Sequence, residues 1–272
     1  MENWKHINES YNKQKTLSVS KCLGYLQNPF DQDSVAQKCF EKGFNNPDDK
    51  YYQMIKEDIL KAWNDKSATS CRYGSLLDSY IGLNLYNKAK ELEDWKLDNS
   101  YDYDKRLKGL CDGFDQFYSN LLTNTDYQYH SREEKMFIIS KETGNIINGR
   151  FDCLFYSPLK DRYLLIDWKS SGSIESSNKW EKLLGPCFDL DACNGNTYTI
   201  QTQFYKKALS ETYKLTTSDK IDTMVCQMSI EPNEYGKHYH IYAPFIKYDS
   251  DLLDKIIDFA YKKSIKEKVI NS

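Results

Sequence analysis

Between Asn145 and Ser171 the chain reads NIINGRFDCLFYSPLKDRYLLIDWKSS, and three of its side chains could do chemistry together: Asp152, Asp167 and Lys169. Two carboxylates and an ammonium are the groups a metal-dependent phosphodiesterase requires. Carboxylate oxygens suit a hard cation such as Mg²⁺, which keeps several waters and takes only one or two acidic ligands from the protein. Such an ion makes a bound water nucleophilic near neutral pH and neutralises charge on the phosphoryl and leaving oxygens. A lysine beside it can hold or deprotonate the attacking water and offset phosphate charge.

The elements that must position these groups are strands. Ile146 to Tyr156 is rich in aromatic and β-branched residues, a Ser-Pro-Leu-Lys-Asp turn follows, and Tyr163-Leu164-Leu165-Ile166 resumes the apolar run. That pattern predicts a β-hairpin. Residues two apart on a strand share a face, so Asp167 and Lys169 project together while Ile166 and Trp168 point the other way. Asp152 is expected in the middle of the first strand, on the face of Arg150 and Leu154. A carboxylate there is costly unless it is paired or bound to metal. The triplet alone carries little weight, because Asp94-Trp95-Lys96 repeats it inside the charged segment KELEDWKLD, where a solvated surface explains it.

In order, Gly149-Arg-Phe-Asp152, Asp167-Trp-Lys169 and Gln201-Thr-Gln-Phe-Tyr205 resemble the three motifs of the PD-(D/E)xK nucleases. The match is to the RecB-like and lambda-exonuclease-like branch, which includes mitochondrial genome maintenance exonucleases and related phage enzymes. The resemblance implies an α/β fold with a restriction-endonuclease-like core, a mixed central sheet flanked by helices, and a helical N-terminal region. It implies one or two Mg²⁺ or Mn²⁺ ions held by Asp152, Asp167 and the Trp168 carbonyl, with Glu134 and Asp78 as outer candidates. Glu134 lies 18 positions before Asp152, and Glu133 competes for the same role. Asp78 follows Gly74 at the family's Gly-x-x-x-His/Glu spacing, with Asp in place of His or Glu; a solvent-facing Asp on an amphipathic helix is the alternative. Gln201 and Tyr205, at i and i+4, would face the strands and orient Lys169 or a phosphate. Lys15 to Leu23 is similar to the serine-valine-threonine segment ahead of the family's first helix, and a Ser N-cap explains it as well.

At 272 residues the chain can bury a substantial core, and a single domain is expected, mainly helical over residues 1–125 with the catalytic sheet in 126–272. Apolar content of 40% with 14% aromatics argues against disorder. No apolar run approaches the ~20 residues that span a bilayer, and MENWKHINES lacks a signal-peptide pattern, so a cytoplasmic protein without membrane contact is expected. The eight cysteines contain no Cys-x-x-Cys pair and are expected as reduced thiols. They lack the late cysteine group by which some relatives hold an iron–sulfur cluster, and no cluster is expected. A net charge of −3 is not that of a general nucleic-acid binder, yet a local basic track suffices for a nuclease.

Apolar spacing predicts helices over Asp49–Asn64, around Leu76–Ile81, over Leu107–Leu122, Thr199–Tyr213 and Asp249–Lys266. It predicts strands ending at Ser140, over Thr223–Ile230 and over His238–Ile246. Residues after Lys169 to about Tyr198 read as a long loop able to line a substrate groove. The expected activity is a Mg²⁺- or Mn²⁺-dependent deoxyribonuclease in recombination, repair or DNA processing. Its expected partners are DNA ends or single strands, and recombination or replication proteins. An exonuclease is favoured over a site-specific or structure-specific endonuclease, and a catalytically inactive DNA-binding or assembly module is the rival of a different class.

Overall fold

A computed structural model describes residues 2–11, 16–170 and 172–270. Lys15 and Ser171, at the edges of two stretches discussed above, lie outside the described residues. In chain order the elements begin with α1 (Glu2–Tyr11), β1 (Leu17–Ser18), α2 (Val19–Tyr25), α3 (Gln32–Gly43), α4 (Lys56–Leu85), α5 (Ala89–Asp98) and α6 (Lys105–Asn124). Strands β2 (Gln128–Arg132), β3 (Lys135–Ile139), β4 (Ile146–Arg150), β5 (Cys153–Ser157) and β6 (Arg162–Lys169) follow. Then come α7 (Asn194–Lys207), continued by a π turn over Ala208–Thr212, β7 (Ile221–Met228), β8 (Tyr239–Tyr242) and α8 (Ser250–Ile270).

The molecule is a mixed α/β structure. Its main sheet has the order β2-β5-β6-β7-β8, parallel only between β6 and β7. A smaller sheet has the order β1-β4-β3. One apolar core fills the face toward α2, α7 and α8, with Leu165, Phe204 and Ile256 buried in it. A second fills the face toward α4 and α6, with Leu77, Phe114, Ile166 and Trp168. β6 is therefore covered on both sides. Its alternation puts Leu165 and Asp167 on the α7 side and Ile166 and Trp168 on the α6 side, as residues two apart on a strand must be.

Several boundaries differ from the sequence reading. Ile146–Tyr156 is not one strand but β4 and β5, belonging to different sheets, with a break at Phe151-Asp152. The segment before Ser140 is broken the same way at Glu133-Glu134, so both arms of one long hairpin change sheet at the same level. Glu133 takes a left-handed φ of 54° there, and its N–H donates to the Phe151 carbonyl at 3.0 Å, which stitches the corner. No helix begins at Asp49. Residues 49–53 form turns, Tyr52 and Ile55 are exposed, and α4 starts at Lys56 and continues through the next predicted helix without interruption. The Asp94-Trp95-Lys96 copy lies on α5, in which no residue is buried. Ser18 caps α2, its hydroxyl accepting from the Lys21 N–H at 3.0 Å. All eight cysteines are free thiols. Among the described residues no helix is long and apolar enough to cross a membrane.

Candidate active site

The hydrogen-bond ladder between β5 and β6 ends at Cys153 paired with Ile166. Were β5 to continue backward, the Trp168 N–H would donate to residue 151. Instead the Phe151 carbonyl is taken by Glu133, and the Trp168 N–H donates to Asp152 Oδ2 at 2.7 Å. Asp152 thus stands at the sheet corner, not mid-strand as expected, and its carboxylate replaces a ladder acceptor. The carbonyl of a strand residue leaves from the same edge as its N–H, so the Trp168 carbonyl lies on the edge that faces Asp152.

On the α7-facing side of β6, Asp167 is 2% exposed and Lys169 Nζ lies 2.5 Å from its Oδ2. Asp167 Oδ1 is buried with no hydrogen-bond partner among the described residues. Burial pushes the Asp152 carboxyl well above the usual carboxylate range, and the Asp167 carboxylate pushes it further, against the pull of the Lys169 ammonium and the Trp168 N–H. Burial raises Asp167 as well, against Lys169. Burial pulls the Lys169 ammonium down, but Asp167 and Asp152 outweigh it and leave the amine above its ordinary value. Lys169 is therefore a cation at neutral pH.

Asp152, Trp168, Lys169 and Ser170 line a cleft of about 220 Å³ together with Gly74, Leu77, Asp78 and Ile81 of α4. Asp78 is thereby brought to the site. Its carboxylate is held by the guanidinium of buried Arg132, which crosses α4 where Gly82 has no side chain; a Cβ there would overlap Arg132 Nη1. The acid of the first hairpin arm that faces the cluster is Glu133, not Glu134. Burial first, then Asp78, raises the Glu133 carboxyl, and Glu133 in turn contributes to the rise at Asp152. Arg150 Nη1 donates to Glu133 Oε2 at 3.3 Å. Glu134 sits on the far side of the left-handed kink, near Tyr213.

Tyr205 comes down from α7 over the corner. Burial raises its hydroxyl, the hydrogen bond from Gln201 eases it, and Asp167 and Asp152 push it up again; Gln201 reaches the acids only through Tyr205, and the two line a separate hollow with Ser20, Lys135, Asn148 and Arg150. Gly149 makes room for the ring: a Cβ there would come 2.7 Å from Tyr205 Cε1, 2.8 Å from its Oη and 2.9 Å from Val19 Cγ2. The sequence reading missed Tyr198, whose ring lies 4.6 Å from Lys169 Nζ. The signal was there, because α7 starts five residues earlier than expected and Tyr198, Gln201 and Tyr205 then share one helix face at i, i+3 and i+7. Nothing in the sequence signalled the pairing of Arg132 with Asp78 across 54 positions.

Among the described residues no group of three or more His, Cys, Asp and Glu side chains stands ready to hold a metal ion. A Mg²⁺ ion does not demand one, since it is bound through one or two carboxylates with water completing its shell. Buried Asp167, with an unpartnered oxygen, and half-buried Asp152, both with raised proton affinity, fit a cation between them. Compared with models of known protein families the chain matches none of them, and no relative is found among curated proteins.

Proposed function

We propose that this protein is a metal-dependent deoxyribonuclease of the PD-(D/E)xK type built on a restriction-endonuclease-like core, and an end-dependent exonuclease in particular. The observation that carries the reading is the convergence of Asp152, Asp167 and Lys169 at the end of β6, from a corner and a strand end 15 residues apart. Buried Asp167 is ion-paired to Lys169, and half-buried Asp152 lies near enough to raise the same amine, so two carboxylates face one ammonium, an excess of negative charge that a divalent cation would relieve.

Asp152, Asp167 and the Trp168 carbonyl would hold Mg²⁺ or Mn²⁺, which when bound supplies a nucleophilic water and neutralises phosphoryl charge. Lys169, kept protonated by its two acidic neighbours, would orient that water and offset the charge of the scissile phosphate. Tyr205, hydrogen-bonded to Gln201 and to the Arg150 backbone, stands over the two acids, Asp78 adds an acidic group to the cleft, and Glu133 adds its charge to that around Asp152. Replacing Asp167 or Lys169 with Ala should abolish cleavage of linear DNA in Mg²⁺ while preserving DNA binding. Parental cutting rates in both variants would end the proposal, and comparison of linear with covalently closed circular DNA separates exonuclease from endonuclease.

A second reading draws on the Lys169 ammonium already seated on Asp167 and on the arginines that engage Asp78 and Glu133. In it, the same cluster is a purely structural ion network in an inactive DNA-binding or assembly module. Calorimetric titration with Mn²⁺ decides, since heat lost on Asp152→Asn supports the nuclease and no heat in the parent supports the module.

A further inference from the structure

Lys207 shows how this fold satisfies an enclosed ammonium with oxygen alone. Its Nζ meets Glu211 at 2.6 Å, Ser250 at 2.7 Å and Asp254 at 3.0 Å, an acceptor for each of its N–H groups. Lys169, with a side chain 18% exposed, is held otherwise. Asp167 Oδ2 meets its Nζ at 2.5 Å, and the ring of Tyr198 covers the ammonium from α7 at 4.6 Å. A ring face attracts a cation through its quadrupole and takes up no directed N–H bond. N–H groups are thus left over on the amine, and Lys169 lines the cleft it shares with Asp152.

The ring is braced for this task. Its neighbours Thr197 and Thr199 are buried, and the Thr199 hydroxyl accepts from the Phe245 N–H at 3.2 Å. The first turn of α7 is tied to the chain that leaves β6. There the Gly195 N–H donates to the Glu175 carbonyl at 3.0 Å, and the Asn194 side chain donates to the Ser173 carbonyl at 3.1 Å and accepts from the Glu175 N–H at 2.7 Å. Tyr198 is therefore fixed relative to the strand that carries the amine.

We infer that Tyr198 is a positioning residue for Lys169, its ring holding the ammonium on Asp167 so that the remaining N–H groups face the cleft. This inference rests on the nuclease reading and adds to it a residue outside the Gln-x-x-x-Tyr pair. Tyr198 acts through its ring face and not its hydroxyl, so phenylalanine can replace it and an aliphatic side chain cannot. A ring over a solvated ammonium shifts an equilibrium only about two- to fivefold, whereas one over a desolvated ammonium reaches about thirtyfold.

The test reads the ring and the reaction separately. In divalent-free buffer, the side-chain NMR signal of Lys169 in the full chain, assigned by its loss in Lys169→Arg, should lie upfield of exposed lysines through the ring current of Tyr198. Tyr198→Leu should move it downfield, Tyr198→Met should do the same, and Tyr198→Phe should hold it. With linear DNA in Mg²⁺, Tyr198→Leu should lower kcat about five- to thirtyfold with KM within about twofold, and Tyr198→Phe should recover most of that loss. An unmoved Lys169 signal in the Leu and Met variants overturns the positioning role, as does a rate in Tyr198→Phe as low as in Tyr198→Leu. Parental cleavage in Tyr198→Leu also overturns it and leaves the nuclease standing. Cleavage that persists in Lys169→Ala removes the nuclease and this role with it, whatever the spectrum shows.

Discussion

Gly149→Ala should cost stability in a way that reports directly on the placement of Tyr205. The added methyl would sit 2.7, 2.8 and 2.9 Å from Tyr205 Cε1, Tyr205 Oη and Val19 Cγ2. These distances fall short of a comfortable ~3.5 Å contact by roughly 0.8, 0.7 and 0.6 Å. Tyr205 is 4% exposed and Val19 2%, so neither can swing into solvent, and α7 or β4 must shift instead. Overpacking of this kind costs about 1–3 kcal/mol, and three simultaneous overlaps place Gly149→Ala at about 2–3 kcal/mol. In urea unfolding followed by tryptophan fluorescence the midpoint should fall by about 1 M at unchanged slope. In a Tyr205→Leu background the overlaps with the ring and hydroxyl are gone and only the one with Val19 remains, so the same substitution should cost about 1 kcal/mol. The double-mutant cycle therefore carries a coupling of about 1–2 kcal/mol. Equal costs in the two backgrounds would refute the packing of Tyr205 on Gly149 and the approach of its hydroxyl to the acidic pair.

Asp152→Asn should be more stable than the parent at pH 7 in divalent-free buffer, with the difference shrinking toward pH 4. A carboxyl that binds its proton more tightly folded than unfolded makes the native state lose stability as pH rises from the unfolded value near 3.8 through the raised folded one; urea midpoints at the two pH values check it. Lys207→Met should destabilise by about 3–5 kcal/mol, because the buried ammonium sits 2.6 Å from Glu211 and 3.0 Å from Asp254 and its loss strands buried Asp254, whereas Glu211 keeps Lys141 and Ser250. Adding Asp254→Asn should restore most of that loss in the same urea assay.

The layered α/β architecture and the β6 face bearing Asp167 and Lys169 were legible because a two-residue period in an apolar run leaves no freedom about which side chains share a side. The closing helix was legible for the same kind of reason, with Leu253, Ile256, Ile257 and Ala260 at helical spacing and all buried. The corner was not. Ile146–Tyr156 has uniform β character, and what divides it is the left-handed turn at Glu133 on the partner strand, a pairing that no local pattern encodes. Glu133 and Glu134 were indistinguishable for that reason, since only the kink decides which one faces the cluster. Asp49–Ile55 misled in the opposite direction. Tyr52 and Ile55 fall at helical spacing from Ile59, yet they lie exposed in turns ahead of α4.

Asp152 belongs to the joint between two sheets, whereas Asp167 belongs to one of them. The Trp168 N–H nonetheless latches the Asp152 carboxylate to β6, so the spacing of the two acids is held at the corner itself, like a door's edge caught on its frame. A cation gripped by both would brace that corner, and substitutions that loosen the Glu133–Phe151 contact would be felt as a change in the spacing of the acids with no alteration to the acids themselves.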